Sequence, residues 1–300
     1  MKIYDVSLID PRFAPVLTRL FSSNVVRDLA STGSSKIAFK VLSESHLIEM
    51  LDPHMVLRDF YDGLFRFLFK NYRNEYIYKN ALAEKILLGK HSLNTSFMLS
   101  EFRAGNCKAD SVILNGSSTV YEIKSTYDSV ARLERQLTAY HKTFDRINVI
   151  TSDDQLAKVE QVINDSVGSM VLSDRYTISA VREPVSQKAC IDPSVIFDSL
   201  RKSEYTAIIK AQFGSVPDVP NTRIYAECKR LFVELDPRIA HDEMVRVLKK
   251  RGNCRLLRDF ITQMPNSLKA ASLACKLTKQ NRSAFLKLLD EEIGESLLAY

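Results

Sequence analysis

The sequence predicts an α/β chain of the α+β kind, in which a mixed central sheet flanked by helices is embedded between two all-helical regions. Three observations carry that expectation. Apolar residues recur at three- and four-residue steps up to Asn71 and again from Asp192 to Tyr300, which is the period of amphipathic helices. The section between them changes to strand-like alternation. Within it the patterns run helix, three strands, helix, strand, an order that puts helices on both faces of one sheet. The division expected from this is 1–71 as an N-terminal helical region, 72–186 as the α/β core and 187–300 as a C-terminal helical domain.

Each element has its own local reason. In the first region Val56, Phe60, Leu64 and Phe67 stand at helical spacing. Four Asp-Pro pairs, at Asp10-Pro11, Asp52-Pro53, Asp192-Pro193 and Asp236-Pro237, punctuate both flanks and never the middle. An Asp accepts bonds from free first-turn amides, and Pro presets φ where no amide partner is needed, so each pair is expected to start a helix. In the middle section a helix is expected over 75–88 and an extended run over 95–101. Strands follow over 109–115 and 119–124. Asn115-Gly116 lies between those two strands and signals a hairpin, lengthened by two serines. A helix over 129–144, a strand over 147–151, a helix over 155–164 and short strands near 170–172 and 177–181 follow. The last region returns to helical spacing, with Ile196, Leu200 and Ile208, then Met244, Val247 and Leu248, then Leu256, Leu257 and Ile261. The apolar stripes of both flanks read as core.

Composition bounds the function classes. The 300 residues are about twice the ~150 typical of one domain, so two or three modules are expected. Apolar residues at 45% and charged residues at 26% exclude a mainly disordered or fibrous chain. A net charge of +6 fits a protein that approaches a polyanion, because Lys and Arg gain affinity by releasing counterions from phosphates. The five cysteines, Cys107, Cys190, Cys228, Cys254 and Cys275, form no C-x-x-C pair and suit a reducing compartment. Asp5 and Asp10 stand where a signal peptide would need a basic end and an apolar run. No stretch reaches the ~18 apolar residues of a membrane helix, and Leu64 to Phe69 is broken by Arg66. A soluble, cytoplasmic protein without a membrane partner is expected.

The chemistry concentrates on the hairpin. Strand side chains alternate between faces, so Glu122 and Lys124 point to one side while Tyr121 and Ile123 point to the other. Folding about Gly116 to Ser118 brings Asp110 opposite the Ile123-Lys124 region. Two carboxylates and an ammonium then share one face within apolar strands, which costs stability unless the charges are paired or bind metal.

These residues resemble a family. Ala109-Asp110, Tyr121-Glu122-Ile123-Lys124 and Gln136-x-x-x-Tyr140 are similar to the PD-(D/E)xK nuclease superfamily, especially its small bacterial and phage-borne members, in which Asn-Gly, Tyr-Glu-Ile-Lys-Ser and an Arg-Leu-x-x-Gln-x-x-x-Tyr helix occur together. The resemblance covers roughly residues 74–153 and leaves out the helical flanks. Ala109 stands where the family name has proline.

The resemblance implies a restriction-endonuclease-like core that hydrolyses phosphodiester bonds in DNA with Mg²⁺ or Mn²⁺. Asp110 and Glu122 would be metal ligands, with the Ile123 backbone carbonyl as a third. Lys124 would position or deprotonate the attacking water. Glu75 would complete the site as a further ligand, directly or through water, with Glu84 and Glu101 as rivals for that part. Gln136 and Tyr140, one turn apart, would orient Lys124 or contact phosphates. The alternative is a catalytically silent module that keeps the nuclease fold and binds nucleic acid or a host or phage protein, the helical flanks supplying a protein-binding surface.

Other chemistries find no support. His46, His54, His91, His141 and His241 lack the paired spacing of a zinc site and are expected at or near the surface. Neither a Walker loop nor G-x-G-x-x-G is present. The run Lys249-Lys250-Arg251, near Arg246, Arg255 and Arg258, reads as a solvated helix end.

Overall fold

The computed structural model describes residues 6, 9–91, 93, 95–252 and 254–298, without the side chains of 254–256. Asp5 and the side chains of Cys254, Arg255 and Leu256 therefore lie outside the described residues. In chain order, α1 (Ala14–Leu17), α2 (Ser23–Thr32), α3 (Lys36–Glu44), α4 (Leu57–Asn71) and α5 (Glu75–Ala81) precede β1 (Phe97–Ala104), β2 (Cys107–Leu114) and β3 (Ser118–Lys124). Next come α6 (Leu133–His141), β4 (Arg146–Thr151), α7 (Asp153–Glu160), β5 (Gly168–Leu172) and β6 (Ile178–Arg182). The chain then continues through α8 (Pro193–Ser199), α9 (Lys202–Phe213), α10 (Asn221–Phe232), α11 (Pro237–Lys249), α12 (Cys254–Gln263), α13 (Lys269–Ala274) and α14 (Lys279–Leu288). Among the described residues this is the mixed α/β composition expected, with a six-stranded sheet of parallel and antiparallel pairs.

The chain divides into two compact units, Met1–Leu88 with Arg255–Tyr300, and Gly89–Cys254. This corrects the three-part division at 71 and 186. The first and last helical stretches belong to one unit, whereas α8 to α11 belong with the sheet. Helical period shows that a segment has an apolar stripe; it carries no information about which other segment covers that stripe.

In the first unit, α4 buries Leu57, Phe60, Leu64, Phe67 and Leu68 on one stripe, as the spacing requires. Three of the Asp-Pro pairs behave as expected: Asp10, Asp192 and Asp236 accept from the amides of Arg12, Ser194 and Arg238 at the starts of helical segments. Asp52-Pro53 is a correction. Its carboxylate accepts from the His54 amide in a turn, and α4 begins only at Leu57. Here Val56 bridges Glu292, and the amides of Leu57 and Arg58 donate to the carbonyls of Glu291 and Leu289, so the late segment holds the backbone extended. The helix expected over 75–88 exists, but it changes to π geometry over Leu82–Leu88.

In the second unit the strands lie in sequence order. β1, β2 and β3 are antiparallel, β3 to β5 are parallel, and β6 is antiparallel to β5. Each parallel step carries a crossover helix, α6 or α7, because two parallel neighbours cannot be joined by a tight turn. Val112, Leu114, Val120, Ile147 and Val149 share a core with Leu133 and Leu137 of α6 and with Phe197, Ile208, Phe232 and Met244 of α8 to α11. Alternation along β3 puts Glu122 and Lys124 on the same face as Val120, and both are buried.

Candidate functional site

The β2–β3 ladder runs from Leu114↔Ser118 to Ser111↔Tyr121 and stops there. One further step would set Asp110 opposite Glu122. At that point the Asp110 carboxylate replaces the backbone and accepts from the Ile123 amide at 2.9 Å. A buried amide left without an acceptor is costly, so Asp110 serves the fold as well as any chemistry. On the other side of Asp110, Ser100↔Ser111 and Phe102↔Ala109 bracket Glu101. Glu101 has a left-handed φ of 54° and pairs with Lys108 at 2.8 Å.

Glu122 is 1% exposed and is held by three donors. Its Oε1 accepts from Lys124 Nζ at 2.9 Å and from Gln136 Nε2, and its Oε2 accepts from the Tyr140 hydroxyl at 2.7 Å. Lys124 Nζ also donates to Gln136 Oε1 at 2.9 Å. A buried ion pair is tolerable only when hydrogen bonds satisfy the remaining lone pairs and protons, and the Gln136 amide does this for both partners at once. Gln136 and Tyr140, four residues apart on α6, therefore meet the sheet together.

Tyr140 is fully buried, and its hydroxyl is held far above the ordinary range by burial, by the charge and hydrogen bond of Glu122, and by the Asp110 charge. It remains a protonated donor under any working condition. Both carboxylates thus act on one hydroxyl. The Lys108 carbonyl lies 3.0 Å from it, and its single proton goes to the charged acceptor.

The chain leaves β3 through a tied loop that the sequence reading did not single out. Thr151 Oγ1 donates to the Lys124 carbonyl, Asp128 accepts from both the amide and the hydroxyl of Ser125, and Gln155 Nε2 donates to the Thr126 carbonyl. The spacing Ser125-x-x-Asp128 was the available signal. This loop lies at the carboxyl ends of two parallel strands, where open α/β sheets form crevices.

Asp110, Glu122, Lys124, Gln136 and Tyr140 are thus brought together, with Ile123 between them in the chain. Glu75 opens α5 in the first unit and forms an ion pair with Lys79 one turn on. Of its rivals, Glu84 pairs with Lys85 and Glu101 with Lys108. Arg251 departs from the solvated reading. It is mostly buried, forks onto Glu204 with bonds of 2.6 and 2.7 Å, and lies over the Phe102 ring.

His241 is also a correction, since it is fully buried rather than near the surface. Its Nδ1 faces Asp242 at 2.8 Å, which assigns the proton there, and Nε2 accepts from Ser118 at 2.9 Å. Ser118 in turn accepts from the Asp145 amide. This Ser-His-Asp chain has its Ser and His sealed at 0% exposure, so it joins α11 to β3 and offers no nucleophile. Burial holds the His241 ring below its ordinary value. The unfolded chain then binds a proton near pH 6.5 that the folded chain refuses, so stability falls as pH drops below about 6.5. Melting temperatures measured from about pH 7.5 down to 5 should fall more steeply for the wild type than for His241→Gln. Parallel curves would remove His241 as the cause.

For a metal, the side-chain oxygens in this cluster are the Asp110 and Glu122 carboxylates, to which the resemblance would add the Ile123 carbonyl. Among the described residues no group of three or more His, Cys, Asp or Glu side chains is placed to hold a metal ion. Mg²⁺ commonly binds through one or two carboxylates, completed by water and substrate phosphates, so this donor set fits it and does not fit zinc. Glu122 Oε2, with one donor on it, retains a lone pair for such an ion.

The model of a family described as bacteriophage P4 protein cII matches residues 69–272. Protein cII of Enterobacteria phage P4 is 28% identical over 134 residues, which cover 43% of this chain and 50% of that protein. The chain thus spans about half the length of the curated relative it matches. A solved protein of unknown function from Silicibacter pomeroyi is 17% identical and covers 42% of this chain and 87% of its own, with a TM-score of 0.28. Among the described residues no helix is long and apolar enough to cross a membrane.

Proposed function

This chain belongs to the bacteriophage P4 protein cII family, and from the geometry of its site we propose that it is a metal-dependent nuclease of the PD-(D/E)xK type, acting on DNA in the cytoplasm. The observation that carries the reading is the cluster on β2, β3 and α6, where the half-buried Asp110 carboxylate caps the Ile123 amide beside the buried Glu122–Lys124 pair. A fold that needed only stability would gain more from apolar residues at those positions. Asp110, Glu122 and the Ile123 carbonyl would hold Mg²⁺ or Mn²⁺, whose charge would offset that of the phosphoryl oxygens. Lys124 directs an ammonium at the attacking water and at developing negative charge. Gln136 fixes the Lys124 rotamer, and Tyr140 fixes the Glu122 carboxylate.

One observation favours the silent alternative. The three donors on Glu122 form a closed network that needs no metal, as in a module that binds nucleic acid or a protein partner without turnover. Asp110→Asn separates the two readings. Asn retains an acceptor for the Ile123 amide, so the melting temperature should hold, whereas Asp110→Ala should cost about 1–3 kcal/mol by orphaning that amide. If the site is a metal centre, Asp110→Asn should abolish Mn²⁺ binding in calorimetry and cleavage of plasmid DNA. Undiminished metal binding in Asp110→Asn would sink the nuclease reading, as would tightly bound zinc in elemental analysis.

A further inference from the structure

Besides the carboxylate cluster, α6 contributes to a concavity on another part of its surface. Arg135, Thr138, Ala139 and Lys142 follow one another at helical steps of three, one and three, and together line a cavity of about 440 Å³. The opposite wall is the β1–β2 turn with Asn106 and Cys107, and Val195 of α8. Gly105 has φ +57° in that turn, and a Cβ there would stand 3.8 Å from Val195 Cγ1, so the tight turn packs closely against α8 within that wall.

Three features define what this cavity would take. First, its charged lining groups are both cationic. Among the described residues neither Arg135 nor Lys142 forms an ion pair or a side-chain hydrogen bond, whereas Lys108, Lys188, Lys229 and Arg251 each have an acidic partner. Second, Val195 and Ala139 supply apolar surface beside those charges, and Asn106 supplies an amide. An anion with a flat apolar part matches both, and the volume lies within the ~300–1,000 Å³ of small-molecule sites. Third, the cavity borders the site already described. Cys107 Sγ contacts the Arg135 carbonyl at 3.9 Å, and the Tyr140 hydroxyl lies 3.0 Å from the Lys108 carbonyl, so consecutive residues of β2 meet α6 in the two places.

We propose that this cavity binds a nucleoside monophosphate unit, with its phosphate on Arg135 and Lys142 and its base against Val195 and Ala139. The unit is either a free nucleotide or one residue of a bound strand; only the second source rests on the nuclease reading. A guanidinium and an ammonium that lack acidic partners lose no ion pair when a phosphate arrives.

The test titrates the full chain with dTMP and with thymidine, for the wild type and for Arg135→Gln/Lys142→Gln. Thymidine should bind at least ~10-fold more weakly than dTMP, and the double variant should lose at least ~10-fold in dTMP affinity with an unchanged melting temperature. A single-stranded oligodeoxynucleotide in Ca²⁺ then tells the two sources apart. If the unit belongs to a strand, the slope of log K against log salt should shrink by about 1–2 in the double variant. If it is a free nucleotide, dTMP affinity falls and strand binding does not change. No dTMP binding, equal binding of dTMP and thymidine, or equal dTMP affinity in variant and wild type would overturn the proposal. Failure of the nuclease reading looks different: no DNA is cleaved, yet dTMP affinity still follows Arg135 and Lys142.

Discussion

Lys124→Met lowers DNA cleavage by at least ~10² while DNA binding in Ca²⁺ is retained, if the proposed reaction is correct. The replacement removes the ammonium and keeps the length of the stem. Both carboxylates remain, so loss should fall on the transition state more than on substrate binding, and kcat should drop more than KM rises. Plasmid, linear and single-stranded DNA would each be compared in Mg²⁺ and Mn²⁺. Equal, non-zero cleavage by wild type and variant would place the activity elsewhere. Absence of cleavage by both, with full binding of a partner, would favour the silent module.

The same substitution should also cost stability, and by a large amount. An exposed lysine on a polar face could be removed cheaply, but Lys124 is 5% exposed and bonded to Glu122 and Gln136. Breaking a buried pair by removing one partner typically costs about 3–5 kcal/mol, because a charge is left buried without compensation. Glu122→Gln should be comparably harmful, since it strands the ammonium. The combined Glu122→Gln/Lys124→Met protein has no charge to strand and should recover most of the loss, giving a coupling of at least about 2 kcal/mol in a urea-unfolding cycle. Additive costs would mean that the pair is solvated in solution. Cleavage would be compared at temperatures well below the variants' unfolding midpoints, so that lost activity is not lost fold.

The sequence already contained the strands, the hairpin and the convergence of Asp110 with Glu122 and Lys124, because each follows from period-two alternation and a turn signal only a few residues away. Gln136 and Tyr140 were legible through the family resemblance, although their target was not; the Gln136 amide bonds both Glu122 and Lys124, and the Tyr140 hydroxyl bonds Glu122. What was not legible depends on contacts between distant segments. Asp52-Pro53 has the same local chemistry as Asp192-Pro193, yet Glu291 and Leu289 claim the amides that follow it. His241 lies 123 residues from Ser118, and nothing in either neighbourhood announces that they bond. Arg251 looked like the end of a charge run because Glu204, its partner 47 residues earlier, carries no motif. The grouping of the first and last helices into one unit is of the same kind.

The bond between the Asp110 carboxylate and the Ile123 amide has a practical consequence. That amide proton senses the carboxylate directly, so its chemical shift and its solvent-exchange rate are a built-in gauge of the charge on Asp110. A cation drawing on the same oxygens would move the Ile123 resonance, and so would protonation. The state of the site could then be followed at one backbone position, without a substrate or a turnover assay.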